Sequence, residues 1–301
     1  MAGKILVVGS LHLDVIVHSS RLPKPDETLL GDKVSYRFGG KGGNQAVAAA
    51  KIDVQVFMAG RIGTDNFGKQ IYDTLSNQNI NLDGLKMVDE ATGMSVALIG
   101  SDGIYSAVVV SGANQTIDLS EIAVPDDLTV LVLQNEINTD ANFEIIKKVP
   151  KSTFIILNAA PALTPNKDFF ERIDLLIVNQ LEAKMLLNEE PSIFNNLDAL
   201  RKLQNLGPKE VIITMGADGY TGISKNGEIF SEPGIKVDVL STHGAGDSFV
   251  GTLAAFICKG EPINIAAQYA QASSALHVKT PIDQREKILQ ADIENMFSLN
   301  Q

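Results

Sequence analysis

The chain has 301 residues and a mass of 32.3 kDa, enough for one large α/β domain or two small ones with a substantial buried core. It is 45% hydrophobic and 20% charged, which excludes wholesale disorder. Twenty-five basic against 36 acidic residues give a net charge of −11 and a pI near 4.8, with no basic run to build a nucleic-acid face, so no nucleic-acid partner is expected.

In chain order, the opening Met1-Ala2-Gly3-Lys4 and the short apolar run 5–8, broken by Gly9, do not make a signal peptide. Further short runs rich in Val, Ile and Leu follow at 54–59, 130–133, 154–157, 175–178 and 211–214. Such runs read as strands buried on both faces, the mark of a parallel sheet. Amphipathic segments at 66–78, 140–148, 192–204 and 286–297 read as helices between them. This alternation predicts an α/β fold, a doubly wound, mostly parallel sheet with helices on both faces. Residues 12–38 and 91–112 alternate more loosely and predict strands with one wet face, either a small β flap over the main sheet or ordinary surface hairpins. No repeat or low-complexity linker interrupts the chain, so residues 1–301 read as one domain with that insertion. No apolar stretch approaches the ~18 residues of a membrane helix. The single cysteine, Cys258, permits neither an internal disulfide nor a cysteine-built zinc site, and the expected setting is the reduced cytoplasm, away from membranes.

Several segments carry candidate chemistry. In Phe38-Gly39-Gly40-Lys41-Gly42-Gly43-Asn44-Gln45, glycines allow close backbone approach to a ligand, while Lys41 and Asn44 can reach hydroxyl or anionic groups. The segment is no Walker A loop, since glycine follows Lys41, and a flexible hinge before a helix over 46–51 is the alternative. Asp14, inside the apolar stretch His12-Leu13-Asp14-Val15-Ile16, needs a partner, and Glu136 follows a strand where open α/β sheets bind ligands. Asn179 and Glu182 have capping-box spacing, and a carboxylate at that strand end could also hold Mg²⁺ through water. In Ser241-Thr242-His243-Gly244-Ala245-Gly246-Asp247-Ser248, a glycine-rich turn opens a helix whose free amides make an anion site. Asp247 can accept a proton from a substrate hydroxyl there, or serve only as a helix N-terminal charge. The four histidines show no metal-ligand spacing, and no dinucleotide fingerprint supports a nicotinamide oxidoreductase.

Taken together, these segments resemble the ribokinase-like, PfkB-type family of carbohydrate and nucleoside kinases, almost end to end. Gly39-Gly40-Lys41-Gly42-Gly43-Asn44-Gln45 is similar to the family's N-terminal signature in its ribokinase form, and Gly244-Ala245-Gly246-Asp247 to the C-terminal one, about 200 residues later. Asn158-Ala159-Ala160-Pro161-Ala162, Asn179-Gln180-Leu181-Glu182 and Thr214-Met215-Gly216 are lesser matches. The resemblance implies an ATP- and Mg²⁺-dependent kinase of a sugar hydroxymethyl group, with ribose the leading candidate. It implies Asp247 as general base and Gly244, Ala245 and Gly246 as the anion hole. His12, Asp14, Gly40, Lys41, Asn44 and Glu136 would line the sugar pocket, Asn179, Thr214 and Gly216 would serve the nucleotide, and Glu182 the metal. The β regions would form a lid that closes over substrate and, in many relatives, pairs two subunits.

Departures bear on specificity. Ser241 stands where ribokinases usually carry an Asp that helps hold potassium, and Lys279-Thr280-Pro281-Ile282-Asp283 lacks the segment that completes that cation site, which argues against a monovalent cation site. His12 stands where ribokinases place a sugar-binding Asn, and Gly43 replaces the usual Ala. The tail with Ser273-Ser274 is similar to pseudouridine kinases, so a nucleoside is the second substrate class, and a catalytically weak sensor of the same fold is the alternative from outside enzymology.

Overall fold

In the computed structural model, which describes residues 3–101, 104–164, 166–189 and 195–300, the chain opens with strand β1 (Lys4–Val8). It crosses into a small outer sheet as β2 (His12–Ser19) and β3 (Lys33–Gly39), then returns through helix α1 (Lys41–Ala50) to β4 (Gln55–Gly63). Helix α2 (Asn66–Ser76) and β5 (Ile80–Val88) follow, and β6 (Met94–Gly100) and β7 (Tyr105–Val110) complete the outer sheet. Strand and helix then alternate through β8 (Leu128–Gln134), α3 (Thr139–Lys148), β9 (Phe154–Asn158), α4 (Lys167–Phe170), β10 (Leu175–Asn179), α5 (Gln180–Leu187), α6 (Asn196–Gln204) and β11 (Glu210–Thr214). The antiparallel pair β12 (Tyr220–Ile223) and β13 (Ile229–Glu232) precedes helices α7 (Ala245–Cys258), α8 (Ile263–Lys279) and α9 (Gln290–Ser298).

The main sheet has nine strands in the order β13-β12-β11-β10-β9-β8-β1-β4-β5, parallel from β11 to β5. Its strands read as unbroken apolar runs because both faces are covered. Ile5 and Val7 pack into one apolar layer with Val250, Leu253 and Ala254 of α7 and Ala266 and Ala270 of α8. Leu6 and Val8 point the other way, into a layer with Ile145 of α3 and Leu200 and Leu203 of α6. The outer sheet runs β3-β2-β6-β7, and its four strands fall in the two loosely alternating regions. Leu13, Ile16 and Ala97 are buried in it, while Val34, Tyr36 and Val108 stay open to solvent.

Several boundaries differ from expectation. Helix α1 begins at Lys41 and not at 46, so Gly42 and Gly43 are helical and no hinge precedes the helix. Contact explains them: a Cβ on Gly42 would lie 2.7 Å from the carbonyl carbon of Gly9, and one on Gly43 2.5 Å from Cζ of Phe38. Only packing this close lets α1 meet the turn after β1. Of the segment 286–297, residues 286 and 287 end a 3₁₀ turn that begins at Ile282, and α9 starts only at Gln290. Residues 192–194 of the predicted helix 192–204 lie outside the described residues, and α6 starts at Asn196 behind an Asn195 cap. Asn195 Oδ1 accepts from the amides of Leu197 and Asp198 at 2.9 and 3.2 Å.

Candidate active site

Strand order reverses at β1: the chain leaves it towards β4 and β5 on one side and reappears as β8 on the other. Open sheets leave a crevice beyond the carboxyl ends of their strands at such a point. Ser10 follows β1, Glu136 follows β8, and Asn158, Asn179 and Thr214 end β9, β10 and β11. The first turns of α1 and α7 close the crevice from the other face, and a Cβ on Gly251 of α7 would strike the Gln45 carbonyl.

Asp247 lies in the first turn of α7 and is 8% exposed. Gln45 Nε2 donates to its Oδ1 at 3.0 Å and Asn44 Nδ2 to its Oδ2 at 3.3 Å. Burial pushes the carboxyl above its ordinary value, as does the Glu136 charge, and the Lys41 charge with these two hydrogen bonds only partly offsets the rise. Gly244 caps α7 with φ 77°, a backbone that glycine adopts without strain. The Ala245 amide donates to the Thr242 carbonyl at 3.1 Å, so this member of the expected anion hole is already engaged. Among the described residues the amides of Gly244, Gly246 and Asp247 have no acceptor, as first-turn donors commonly lack one. A Cβ built on Gly246 would meet nothing within 4 Å, so open space stands before it.

Around this carboxylate the structure gathers the other predicted residues. Glu136 Oε2 accepts from Ser10 Oγ at 2.5 Å and from the Lys41 amide at 3.0 Å. The Lys41 ammonium, although burial disfavours its charge, is held above its ordinary value by Asp247, Glu136 and Glu182. Gly40, with φ 88°, fits against Leu11 and His12, where a Cβ would lie 2.7 Å from Leu11 Cα. Asp14 is 6% exposed and reaches in from β2. It accepts from Ser95 Oγ at 2.5 Å and lies 3.3 Å from His243 Nε2. Burial would raise its pKa, but those two hydrogen bonds and the His243 and His12 charges hold it below the ordinary value. His12 is buried, its Nε2 has no partner among the described residues, and burial, against the pull of Glu136 and Asp14, keeps it below the usual histidine range.

Towards β10 and β11, Asn179 and Glu182 form the capping box in full: Asn179 Oδ1 accepts from the Glu182 amide and Glu182 Oε2 from the Asn179 amide, both at 2.8 Å. Burial and the Asp247 charge raise the Glu182 carboxyl despite the Asn179 amide and Lys41. Its second oxygen has no partner among the described residues. There, too, no group of three His, Cys, Asp or Glu side chains could hold a metal. One carboxylate at this place fits Mg²⁺ that arrives on nucleotide phosphates, since that ion commonly takes one or two carboxylates plus phosphate and water. Thr214 pairs in register with Asn179 and its Oγ1 donates to the Val178 carbonyl at 3.4 Å. Gly216, with φ 60°, opens on free space one residue beyond Met215.

Sequence reasoning missed a buried amide network. Gln45, fully buried, also donates to Asn158 Oδ1 at 3.1 Å and accepts from Gln134 Nε2 at 2.8 Å. Asn142 of α3 in turn donates to the Gln134 carbonyl at 2.6 Å. The available signal was a glutamine beside Ala46 and Ala49 of α1, which pack into the core. Ser10, Ser95 and His243 were likewise not assigned. Ser273 and Ser274, which carried the likeness to nucleoside kinases, tie α8 to α7. Ser273 Oγ bonds Ser248 Oγ at 2.9 Å and Thr252 Oγ1 at 2.8 Å, and Ser274 Oγ donates to the Ala245 carbonyl at 2.8 Å.

Comparison with known proteins agrees with this geometry. The model of the pfkB family carbohydrate kinases matches residues 2–287. The ribokinase of Schizosaccharomyces pombe is 32% identical over 292 residues, covering 91% of this chain and 92% of that one. The ribokinase of Bacillus subtilis is 31% identical over 279 residues with the same coverage. The structure of the Arabidopsis thaliana ribokinase complexed with ribose and ATP matches with a TM-score of 0.89 at 28% identity, covering 99% of each chain. The chain belongs to the pfkB family of carbohydrate kinases and is an ATP-dependent sugar kinase.

Proposed function

We propose that this pfkB-family kinase transfers the γ-phosphoryl group of ATP to the hydroxymethyl group of ribose or a closely similar sugar, with Asp247 as general base. The observation that carries the assignment is the pairing of a buried, hydrogen-bonded carboxylate with open, unengaged amides in one helical turn. Asp247 takes the hydroxyl proton as the oxygen attacks the γ-phosphorus; the P–O bond to the β-phosphate breaks and ADP leaves. The amides of Gly244 and Gly246 and the first-turn dipole of α7 bear the charge on the transferring oxygens. The Lys41 ammonium, set among Asp247, Glu136 and Glu182, supports the same charge. Asp14, His12 and Glu136 orient the sugar, with Gly40 letting it approach the backbone, and Asn44 holds the base.

Asn179, Thr214 and Gly216 line the nucleotide side, and Glu182 is the carboxylate that meets Mg²⁺, whose charge neutralises phosphate oxygens when bound. Residues 1–301 act as one kinase domain with the outer sheet as its lid, excluding water that would otherwise hydrolyse ATP. Exposed Val34, Tyr36, Val108, Val109 and Val110 on that sheet support its use as a homodimer face, which light scattering tests. No helix among the described residues is long and apolar enough to cross a membrane, and we place the enzyme in the cytoplasm.

The test is ADP release with Mg–ATP against ribose, deoxyribose, fructose, fructose phosphates, pseudouridine and other nucleosides. Ribose should be the best acceptor, and Asp247→Ala should lose ~10²–10⁴-fold in turnover. Near-normal turnover in that variant refutes the base assignment, and preference for a nucleoside refutes the substrate.

A further inference from the structure

Arg285 sits in the 3₁₀ turn Ile282–Lys287 beyond α8 and is 7% exposed. Its Nη2 donates to the Ser241 carbonyl at 2.8 Å, its Nη1 to the His243 carbonyl at 2.8 Å, and its Nε to the Thr280 carbonyl at 3.2 Å. Nη1 also lies 2.8 Å from His277 Nε2. His277 Nε2 lies 2.9 Å from the His243 carbonyl as well, and burial with the neighbouring Arg285 and Lys51 charges brings that imidazole down to about 4 despite this contact, so the ring adds no charge beside the guanidinium. Among the described residues no carboxylate pairs with Arg285. Burial, and to a lesser degree the Arg37 charge, holds the guanidinium below its ordinary value, and Lys51 Nζ donates to the carbonyl of Arg285 itself at 2.8 Å.

A buried charge without a counter-ion is costly and needs other compensation. Here carbonyl dipoles supply it, two of them from the three residues that precede Gly244. A trans peptide points its C=O and N–H in opposite directions. With the carbonyls of Ser241 and His243 drawn onto the guanidinium, the amides of Thr242 and Gly244 are turned away from it. Gly244 is the left-handed cap from which the first turn of α7 departs. His277 packs under that cap, where a Cβ on Gly244 would lie 3.1 Å from its Nε2.

We infer that Arg285 is a positioning residue for phosphoryl transfer: a fixed internal cation that sets residues 241–244, and through them the amides that receive the transferring phosphoryl group. The inference rests on the function proposed above for those amides. The guanidinium nitrogens are engaged by backbone carbonyls, so Arg285 acts on kcat through the orientation of the turn and leaves the sugar KM nearly unchanged.

The test compares Arg285→Ala, Arg285→Gln and Arg285→Lys with wild type and Asp247→Ala, using Mg–ATP and the sugar the wild type turns over. Arg285→Ala should lose about 10²-fold in kcat, the scale of a displaced oxyanion-hole donor. Millimolar guanidinium or methylguanidinium should restore much of that loss and leave the wild-type rate unmoved. A kcat of Arg285→Ala within about twofold of wild type, or a loss that neither ion restores and that follows a fall in Tm, overturns the inference. Should Arg285→Ala not fold, the other two variants decide: Lys keeps the charge and must exceed the neutral Gln in kcat, and equal rates overturn it. An inactive Asp247→Ala beside a normal Arg285→Ala removes this inference alone. A fully active Asp247→Ala removes the function beneath it as well.

Discussion

Replacing Gln45 by Met tests whether the amide network sets the acidity of the base. Methionine matches glutamine in length and carries no amide, so the change removes hydrogen bonds with little change of volume. The lost bonds are the 3.0 Å donor to Asp247, the 3.1 Å donor to Asn158 and the 2.8 Å acceptor for Gln134. A hydrogen bond to a charged group contributes about 1.5–3 kcal/mol, which corresponds to about one to two pH units in the Asp247 carboxyl. The sign follows from which form is helped. Burial already holds that carboxyl above its ordinary value, and Gln45 stabilises the ionised form, so losing it raises the pKa further. The base works only when ionised, so the acid limb of kcat/KM against pH should move upward by about one to two units. The rate well above the new pKa should recover. Stability should fall as well, since Gln134 Nε2 and Asn158 Oδ1 are left buried without this partner, at about 1–3 kcal/mol each. The assay is ADP release from below to above neutrality at saturating Mg–ATP, with a urea unfolding curve for each protein. A uniform drop in rate with the acid limb unmoved would refute the reasoning.

His12→Ala removes a buried imidazole whose Nε2 has no partner among the described residues, and should raise the sugar KM about tenfold while the ATP KM stays constant, measured by initial rates with each substrate varied in turn. Glu182→Gln retains a side-chain oxygen to accept from the Asn179 amide, so Tm should hold while the Mg²⁺ concentration for half-maximal rate rises severalfold; Glu182→Ala should in addition lose a cap worth about 1 kcal/mol. Exchange of potassium for a large organic cation at constant ionic strength should leave the wild-type rate nearly unchanged, because the Ser241 carbonyl is already held by Arg285. Several-fold potassium stimulation of initial rates would show that expectation wrong.

The fold was legible because each central strand advertises two buried faces: Ile5, Leu6, Val7 and Val8 have no polar member, and the structure divides them between two apolar layers. Asn179 and Glu182 were legible twice over, since a capping box at a strand's carboxyl end fixes their backbones and still leaves one carboxylate oxygen free. The glycines of α1 were harder. A run of Gly-Gly reads locally as a loop, and only the approach of the β1–β2 turn makes it a helix face. Gln45 stands beside Asn44 in the chain, and local sequence does not say that both amides reach Asp247 until α1 and α7 are packed together. Arg285 was out of reach for the same reason. Its partners at 241, 243 and 280 are backbone carbonyls, which every residue carries. Arg285 stands one residue before the amphipathic stretch 286–297, in what the structure forms as a 3₁₀ turn.

Net charge makes the same point about scale. A chain of −11 would be expected to repel a nucleotide, and the site sharpens the difficulty by setting Asp247, Glu136 and Glu182 around the single ammonium of Lys41. Burial raises Asp247 and Glu182 above their ordinary values, so the protein spends stability to keep these acids at the crevice. In the function proposed, attraction for phosphate therefore comes from groups that composition does not count. They are the open amides before Gly246, the dipole of α7, and a metal ion that enters with the phosphates and meets Glu182. In the function proposed, acids that would be misplaced in a general anion-binding surface have distinct work: one takes the proton, one meets the metal, and the third, Glu136, holds Ser10 and the Lys41 amide on the sugar side.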